Sequence, residues 1–176
     1  MFQPVITIPT IDNVPAIAAV NLQAWNETYR GLIDDAFLNS LTLPFYEKKW
    51  RGIFKQAGED WVARVIKNEE GTIVGYITGG RGRQPFHNCE GEIYSLYLLK
   101  AYHGKRYGSA LFREGVRQLQ QKGLNSFYVF VLKQNPALAF YRHYRPHVED
   151  YAKVKIDERE YDDIGLGWNN FDFLNA

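Results

Sequence analysis

Two strongly apolar runs with a helical segment between them constrain the fold of this 176-residue chain more than any other feature. Residues 91–99 read GEIYSLYLL and residues 125–132 read NSFYVFVL, a composition typical of strands that lie inside a sheet. Between them, residues 105–122 place apolar side chains at helical spacing, and Gly123 ends the pattern. The chain is therefore expected to fold around an α/β core.

The remaining segments predict one α/β domain with a mixed sheet over residues 1–176. Further strands are predicted at 3–8, 60–67, 72–80, 148–156 and 160–168, with a hairpin turn at NEEG. Further helices are predicted from Asp12, as its cap, to about Gly31, from about Asp34 to Gln56 with an interruption near Pro44, and from Asn135 to Pro146. No linker, repeat or low-complexity run divides the chain.

Composition excludes several classes of protein. Hydrophobic residues make up 45% of the chain and charged residues 23%, and the net charge is +1, so any site for a polyanion must be local. The single cysteine, Cys89, excludes an internal disulfide framework and fits a reducing compartment. With neither a signal peptide nor a long apolar span, we expect a cytoplasmic protein without a membrane partner.

The junction between the strand at 91–99 and the following helix reads HGKRYGS over residues 103–109. A helix N-terminus carries unpaired N–H groups and partial positive charge, so it attracts anions. Gly104 and Gly108 let a ligand approach the backbone closely, and Lys105 and Arg106 add charge. The segment predicts a phosphate-containing ligand. The alternative is that the glycines only shape the turn and the cations are solvated. Neither a P-loop nor a dinucleotide fingerprint is present.

Three segments in register resemble GCN5-related N-acetyltransferases: EIYSLYLLKAYHGKRYGSALF at 92–112, NPALAFY at 135–141 and AWNETYRGLI at 24–33. The resemblance implies a twisted, mostly antiparallel mixed sheet of about seven strands flanked by about four helices. It also implies acetyl-CoA as co-substrate, no metal, and direct acetyl transfer in a ternary complex. The acceptor would be a primary amine of a small molecule or peptide. Members of the family often form homodimers.

The resemblance places the cofactor along the strand end and the turn. Backbone groups of Leu96 and Leu98 would bind pantetheine and the thioester carbonyl, at a break in the pairing of the strand. Asn135 is a helix cap that could also contact the cofactor. The remaining implied contacts are His103, Gly104, Lys105, Arg106, Tyr107, Gly108 and Ser109. His103 stands where the family has Gln or Arg, and Arg106 where it has Gly.

The resemblance assigns the general base to Glu92 and the general acid to Tyr141. Alternation along the strand places Glu90 on the same face as Glu92, where like charge would raise one of the two pKa values. The alternatives are that Glu92 only attracts a cationic substrate and that Tyr141 is a core residue. Trp25 and Tyr29 share a helix face, and either line the acceptor pocket with Arg30 or pack in the core. Glu90 is a further candidate for substrate binding.

Other interpretations of the sequence are weaker. His143 and His147 have a metal-like spacing, but Pro146 interrupts the helix between them. Cys89 near His87 lacks a third group to make it a nucleophile. The GGRGR run is expected to be a hairpin connection with solvated arginines; the alternative is that it contacts the acceptor or the 3′-phosphate of CoA. Two other functions compete with catalysis: a CoA-binding or interaction module with little turnover, and binding of single-stranded nucleic acid, against which the near-neutral charge argues.

Overall fold

The computed structural model describes residues 4–175, in which seven strands form one sheet with the order β1-β2-β3-β4-β5-β7-β6. Every neighbouring pair is antiparallel except β4 and β5, which are parallel. The mixed, mostly antiparallel sheet predicted from the sequence is therefore confirmed. The strands are β1 Val5–Thr7, β2 Val62–Lys67, β3 Ile73–Arg81, β4 Gly91–Leu98, β5 Phe127–Leu132, β6 Val148–Ile156 and β7 Arg159–Trp168.

Within the described part of the chain five α-helices flank the sheet, one more than the sequence predicts. They are α1 Val14–Tyr29, α2 Asp35–Ser40, α3 Leu43–Gln56, α4 Tyr107–Gln121 and α5 Ala137–Arg142. The extra helix arises because the segment from Asp34 to Gln56 divides before Pro44. There Thr42 is extended and its Oγ1 accepts a hydrogen bond from the amide of Phe45.

The start of α1 differs from the prediction. Asp12 does not cap the helix but lies in a short 3-10 turn, Ile11–Asn13. The Asn13 side chain instead accepts a hydrogen bond from the Thr10 amide at 2.9 Å. The predicted first strand spans residues 3–8, of which residue 3 lies outside the described residues.

The two faces of the sheet are covered by different helices. On one face, α4 and α5 enclose an aromatic core in which Phe127 stacks on Trp168 with ring centroids 4.7 Å apart. On the other face, α1 and α3 pack over β2 and β3, and Trp50 meets Tyr76 edge to face. None of the helices in residues 4–175 has the length and apolar content needed to cross a bilayer.

The pairing of β4 with β5 is unusually short. It consists of the register pairs Gly91↔Phe127 and Glu92↔Tyr128, although both strands continue beyond them. Residues 93–98 of β4 and 129–132 of β5 are therefore not hydrogen-bonded to each other. We call the space between these two segments the central gap. It is the only place inside the described sheet where adjacent strands separate in this way.

Gly115 on α4 lies against the sheet with no room for a side chain. A Cβ there would stand 2.4 Å from Cδ1 of Ile77 and 3.1 Å from its Cγ1, in the core. We expect Gly115→Ala to lower the free energy of unfolding by about 1–3 kcal/mol through overpacking, despite its better helix propensity. Urea unfolding measures the change.

Gly52→Ala on α3 is the matched control, because no atom lies within 4 Å of a Cβ at that position. This variant should gain about 0.5–1 kcal/mol. Equal gains in both variants would contradict the close packing of α4 on β3.

Candidate functional site

The turn before α4 has a conformation that presents its backbone to a ligand. Gly104 has φ of 73° and Arg106 has φ of 65°, both in the left-handed region. The left-handed residue at 106 delays the start of α4 to Tyr107, two residues after the predicted start. The first helical hydrogen bond runs from the Ala110 amide to the Arg106 carbonyl. The amides of the first turn are consequently free to bind an anion.

Gly108 leaves space that the chain itself does not fill. A Cβ at this position would make only ordinary contacts, the nearest being Phe140 at 3.7 Å. Packing within the chain therefore does not require glycine here. A phosphate group held by the amides of the first turn would use this space, which fits the predicted binding of a pyrophosphate.

The other side chains of the turn have separate positions. Nε2 of His103 donates to the Leu98 carbonyl at 2.9 Å, so the ring ties the turn to the end of β4. The Lys105 ammonium lies over the Tyr102 ring. Tyr107 is buried in the core, and only its backbone can face a ligand. Arg106 and Ser109 remain at the surface of the turn.

The backbone of β4 faces the central gap at the predicted positions. The Leu99 amide bonds the Val74 carbonyl of β3. Because alternate residues of a strand direct their backbone groups to opposite sides, Leu96 and Leu98 direct theirs away from β3, toward β5. Pairing with β5 has ended before these residues, so the Leu96 amide and carbonyl are available to a ligand in the gap.

Three tyrosine side chains, two from one face of the sheet and one from the other, lie close enough to interact. The hydroxyls of Tyr29 and Tyr97 are 2.8 Å apart, which links the end of α1 to β4. Tyr141 comes from α5 on the opposite face, where it packs against Phe112 and is 5% exposed. Burial raises the pKa of all three hydroxyls, and the proximity of Tyr29 raises the pKa of Tyr141 further, because two phenolates would repel each other. All three therefore keep their protons at neutral pH.

Glu92 is buried, 3% exposed, and already has partners. Its carboxylate accepts hydrogen bonds from the backbone and guanidinium of Arg83, and Oε2 lies 3.0 Å from the Tyr128 hydroxyl. Arg83 belongs to the loop that the sequence expects to carry solvated arginines. Arg81 also has a partner, the Asp60 carboxylate at 2.8 Å, but the side chains of Arg81 and Arg83 are 67% and 62% exposed, so both arginines are paired and still solvated. The role of Glu92 as a base stays a prediction.

Glu90 does not share an environment with Glu92. It precedes β4, is exposed, and accepts a hydrogen bond from the Asn125 amide at 2.6 Å. Each of the two carboxylates thus has its own donor. Arg30 is exposed at the end of α1, where it bonds Asn26, Asn39 and Asp35, and does not line the cavity described next.

A cavity of about 840 Å³ lies between α1, α3 and the strands β3 and β4. Its wall includes aromatic and hydroxyl side chains from three elements: Trp25, Tyr76, Thr78, Tyr94, Ser95 and Tyr97. Trp25 and Tyr29 pack with ring centroids 4.7 Å apart, and both contact Tyr97. Trp25 therefore lines the cavity, while Tyr29 lies outside its wall and contacts it through Trp25 and Tyr97. Their role in an acceptor pocket stays a prediction.

Sequence reasoning missed four residues at this site: Arg83, Tyr97, Tyr128 and Asp163. Asp163, on β7, is 6% exposed, and its Oδ1 has no hydrogen-bond partner within residues 4–175. Burial raises the pKa of its carboxyl to about 6. Alternation in the strand at 160–168 was the available signal, because it separates exposed Asp162 from inward Asp163.

The side candidates from the sequence also have defined positions. Asn135 caps α5 through a hydrogen bond from the Ala137 amide to its Oδ1 at 2.9 Å. Burial raises the pKa of the Cys89 thiol. His147 accepts a hydrogen bond from the Asn169 amide. Across residues 4–175, no three His, Cys, Asp or Glu side chains are grouped as metal ligands would be.

The model of the acetyltransferase (GNAT) family matches residues 25–144. The chain is 30% identical over 171 residues to "Uncharacterized N-acetyltransferase YuaI" of Bacillus subtilis (strain 168), an alignment covering 94% of this chain and 93% of that protein. PaiA N-acetyltransferase of Thermoplasma acidophilum, solved in complex with coenzyme A, has a TM-score of 0.70 and 19% identity, covering 95% of this chain and 100% of that one. The yncA protein of Salmonella typhimurium, solved with its cofactor acetyl-CoA, has a TM-score of 0.67 and 16% identity, with coverage of 95% and 94%. The chain belongs to the acetyltransferase (GNAT) family.

Proposed function

We propose that this protein is an acetyl-CoA-dependent N-acetyltransferase that acetylates a primary amine of a small molecule or peptide by direct attack in a ternary complex. The observation that carries the proposal is the central gap. The anion-binding turn lies at the end of β4, Tyr141 approaches from one face of the sheet, and Tyr29 and Tyr97 approach from the other. Structural neighbours solved with coenzyme A and with acetyl-CoA share this fold.

The turn at 103–109 would hold the pyrophosphate of the cofactor. Amides of the first turn of α4 donate to it, the left-handed turn brings them close, and Lys105 and Arg106 supply positive charge. Backbone groups of Leu96 would continue the contacts along the gap, toward the pantetheine. Asn135 is proposed here as a cap only, since its Oδ1 is already bonded.

Bound acetyl-CoA supplies an activated acetyl thioester. The residues of the chain have three tasks: to polarise the carbonyl, to accept the proton of the amine and to return a proton to the sulfur. The free β4 amide at Leu96 is a donor for the first task. Tyr141 would be the donor for the third, because its hydroxyl is protonated and close enough to interact with Tyr29 of the other face. Burial that raises the pKa of Tyr141 makes it a weaker acid, but the same apolar surroundings raise the pKa of a thiol beside it, so the difference between donor and acceptor changes less than either pKa alone.

The cavity of about 840 Å³ would receive the acceptor. It opens on the α1 side of β4, opposite the face that carries α4 and α5. An amine bound there and a thioester in the gap would meet from opposite faces of the sheet, as a ternary complex requires. The sequence predicts Glu92 as the base, but its carboxylate is held by Arg83, and these bonds would have to break for that role.

Acetyl-CoA binding tests the cofactor site first. Titration calorimetry should show micromolar binding of acetyl-CoA and no comparable binding of ATP or NAD. We expect Gly108→Ala to fold normally, because its Cβ has room within the chain, and to bind acetyl-CoA at least about tenfold more weakly, because the methyl group occupies the proposed phosphate space.

Gly52→Ala, distant from the turn, serves as the control and should bind like the wild type. If Gly108→Ala bound acetyl-CoA as tightly as the wild type, the cofactor would not bind at the first turn of α4. Absence of acetyl-CoA binding to the wild type would contradict the proposed function as a whole.

Tyr141→Phe separates an enzyme from a module that only binds CoA. We expect acetyl-CoA affinity to be retained and amine-dependent release of free CoA thiol to fall about 10²-fold or more, the usual effect of losing a general acid. The control is Tyr144→Phe, which alters a buried neighbour that packs against Phe112 from the same side of the sheet. If Tyr141→Phe and Tyr144→Phe turn over equally fast, Tyr141 is a core residue only.

A further inference from the structure

Asp163 is a buried carboxylate that the mechanism above does not use. It lies in β7 opposite Leu132 of β5, so its side chain is on the face of the sheet that α1 covers. With 6% exposure and no partner for Oδ1 within residues 4–175, it has the backbone amide of Ile164 as a donor but lacks the further donors that normally compensate a buried charge. A group of this kind, placed beside a binding site, is suited to receive a cation.

Its position connects it to the central gap. Leu132 is the last residue of β5, where β5 and β4 are separated. Tyr29 packs in the same cluster as Leu132, and its hydroxyl reaches Tyr97 across the gap. The negative charge of Asp163 helps to raise the pKa of Tyr29, so the carboxylate and this hydroxyl are close enough to interact. Asp163 thus lies on the α1 face of the sheet, outside the wall of the cavity of about 840 Å³ and behind Tyr29, whose hydroxyl bonds Tyr97 of that wall. An acceptor amine would reach Asp163 from the cavity by way of this tyrosine pair.

The elements around Asp163 place no cation against it. β5 and β6 present Leu132 and Ala152 at its register position. α1 contributes Tyr29. Tyr161 lies two residues before Asp163 on the same face of β7, and its hydroxyl accepts a hydrogen bond from the Asp34 amide. Further out, Arg159 pairs with the Asp34 carboxylate. Lys153 pairs with Asp162, whose side chain is on the opposite face of β7.

The environment of Glu92 is the reverse. Arg83 provides three hydrogen bonds and a full positive charge, so the Glu92 carboxylate is neutralised and satisfied. A proton acceptor must have a free lone pair and a pKa near the working pH. Burial raises the pKa of the Asp163 carboxyl to about 6, which meets the second condition, and its bare Oδ1 meets the first.

We infer that Asp163 is the carboxylate that binds the ammonium group of the acceptor and takes its proton. The inference rests on the proposed function. The ammonium donates to Asp163 and passes one proton to it, directly or through one water, leaving a neutral amine. The amine nitrogen then bonds to the acetyl carbon as the carbon–sulfur bond breaks, and the thiolate receives a proton from Tyr141. As the amide forms, the nitrogen loses its second proton, which returns through water to the Tyr141 phenolate, and Asp163 releases its proton to solvent. Glu92 then acts as a positioning residue that holds Arg83 beside the cavity.

The test compares Asp163→Asn with Asp162→Asn, its neighbour on the opposite face of β7. The wild type is first assayed with n-butylamine, spermidine, glycine and an alanine-terminated tripeptide, and the amine acetylated fastest is used throughout. We expect kcat/KM of the wild type to fall as pH decreases through about 6, where Asp163 becomes protonated. Asp163→Asn should lose this acidic limb and about 10²-fold or more in kcat/KM, with acetyl-CoA affinity unchanged. Asp162→Asn should retain both.

Glu92→Gln is the third arm and should retain the acidic limb. If that limb persists in Asp163→Asn and disappears in Glu92→Gln, Glu92 is the base and the inference is wrong. If Asp163→Asn turns over like the wild type, the inference is wrong while the proposed function stands. If the wild type acetylates none of the four amines, the proposed function fails, and the inference fails with it.

Stability gives a readout that does not depend on turnover. A carboxyl whose pKa is higher in the folded state stabilises the fold below its unfolded pKa, and this stabilisation is lost as pH rises through about 6. Asp163→Asn should therefore unfold at higher urea concentration than the wild type at pH 8 and at nearly the same concentration at pH 4. A lower midpoint at pH 8 would show that Asp163 has a stabilising partner and would overturn the inference. Should asparagine disturb the fold, Asp163→Ser removes the carboxylate in a smaller side chain.

Discussion

The early end of pairing between β4 and β5 is the constraint on which the rest of this structure depends. After Glu92↔Tyr128 the two strands no longer satisfy each other's backbone groups, so polar groups of β4 face an opening in the middle of the sheet. Side chains from both faces can reach that opening, which a closed sheet would prevent. Tyr141 of α5 lies close enough to interact with the linked pair of Tyr29 and Tyr97 on the α1 side, so side chains of the two faces come near each other. A cofactor and an acceptor on opposite faces become geometrically possible only because the sheet is divided there.

Periodicity was enough to predict most of the secondary structure. The two apolar runs became β4 and β5, the segment between them became α4, and the hairpin of β2 and β3 formed around NEEG. Helix starts were less predictable, because they depend on which side chain reaches which amide. Asp12 has the right chemistry for a cap, yet Asn13 bonds the Thr10 amide. The delayed start of α4 follows from the left-handed backbone conformation of Arg106, which cannot be predicted from an arginine in the sequence.

Partners distant in sequence explain what the sequence could not predict at the site. Alternation placed Glu92 on a face, but Arg83 reaches it from a loop whose path depends on Phe86 packing against Gly165. Alternation also separates Asp162 from Asp163, but it cannot predict that the neighbouring strands β5 and β6 offer Asp163 no side-chain donor. Which partners reach Glu92 and Asp163 depends on the register between strands that are far apart in the chain. The pattern of a single sequence carries little information about that register.

Arg106 stands where the resemblance to the family implies Gly, and this difference affects the backbone of the turn. An L-residue in the left-handed region costs about 1 kcal/mol more than glycine in the same place. The turn keeps its shape without the glycine, so its conformation is imposed by the helix and strand on either side. Glycine and arginine codons differ by a single base, which makes the relaxed form of the turn accessible in one mutational step. Replacing Arg106 with glycine would relieve the backbone strain of the turn and remove a positive charge from its surface. One substitution at residue 106 therefore changes local stability and surface charge together.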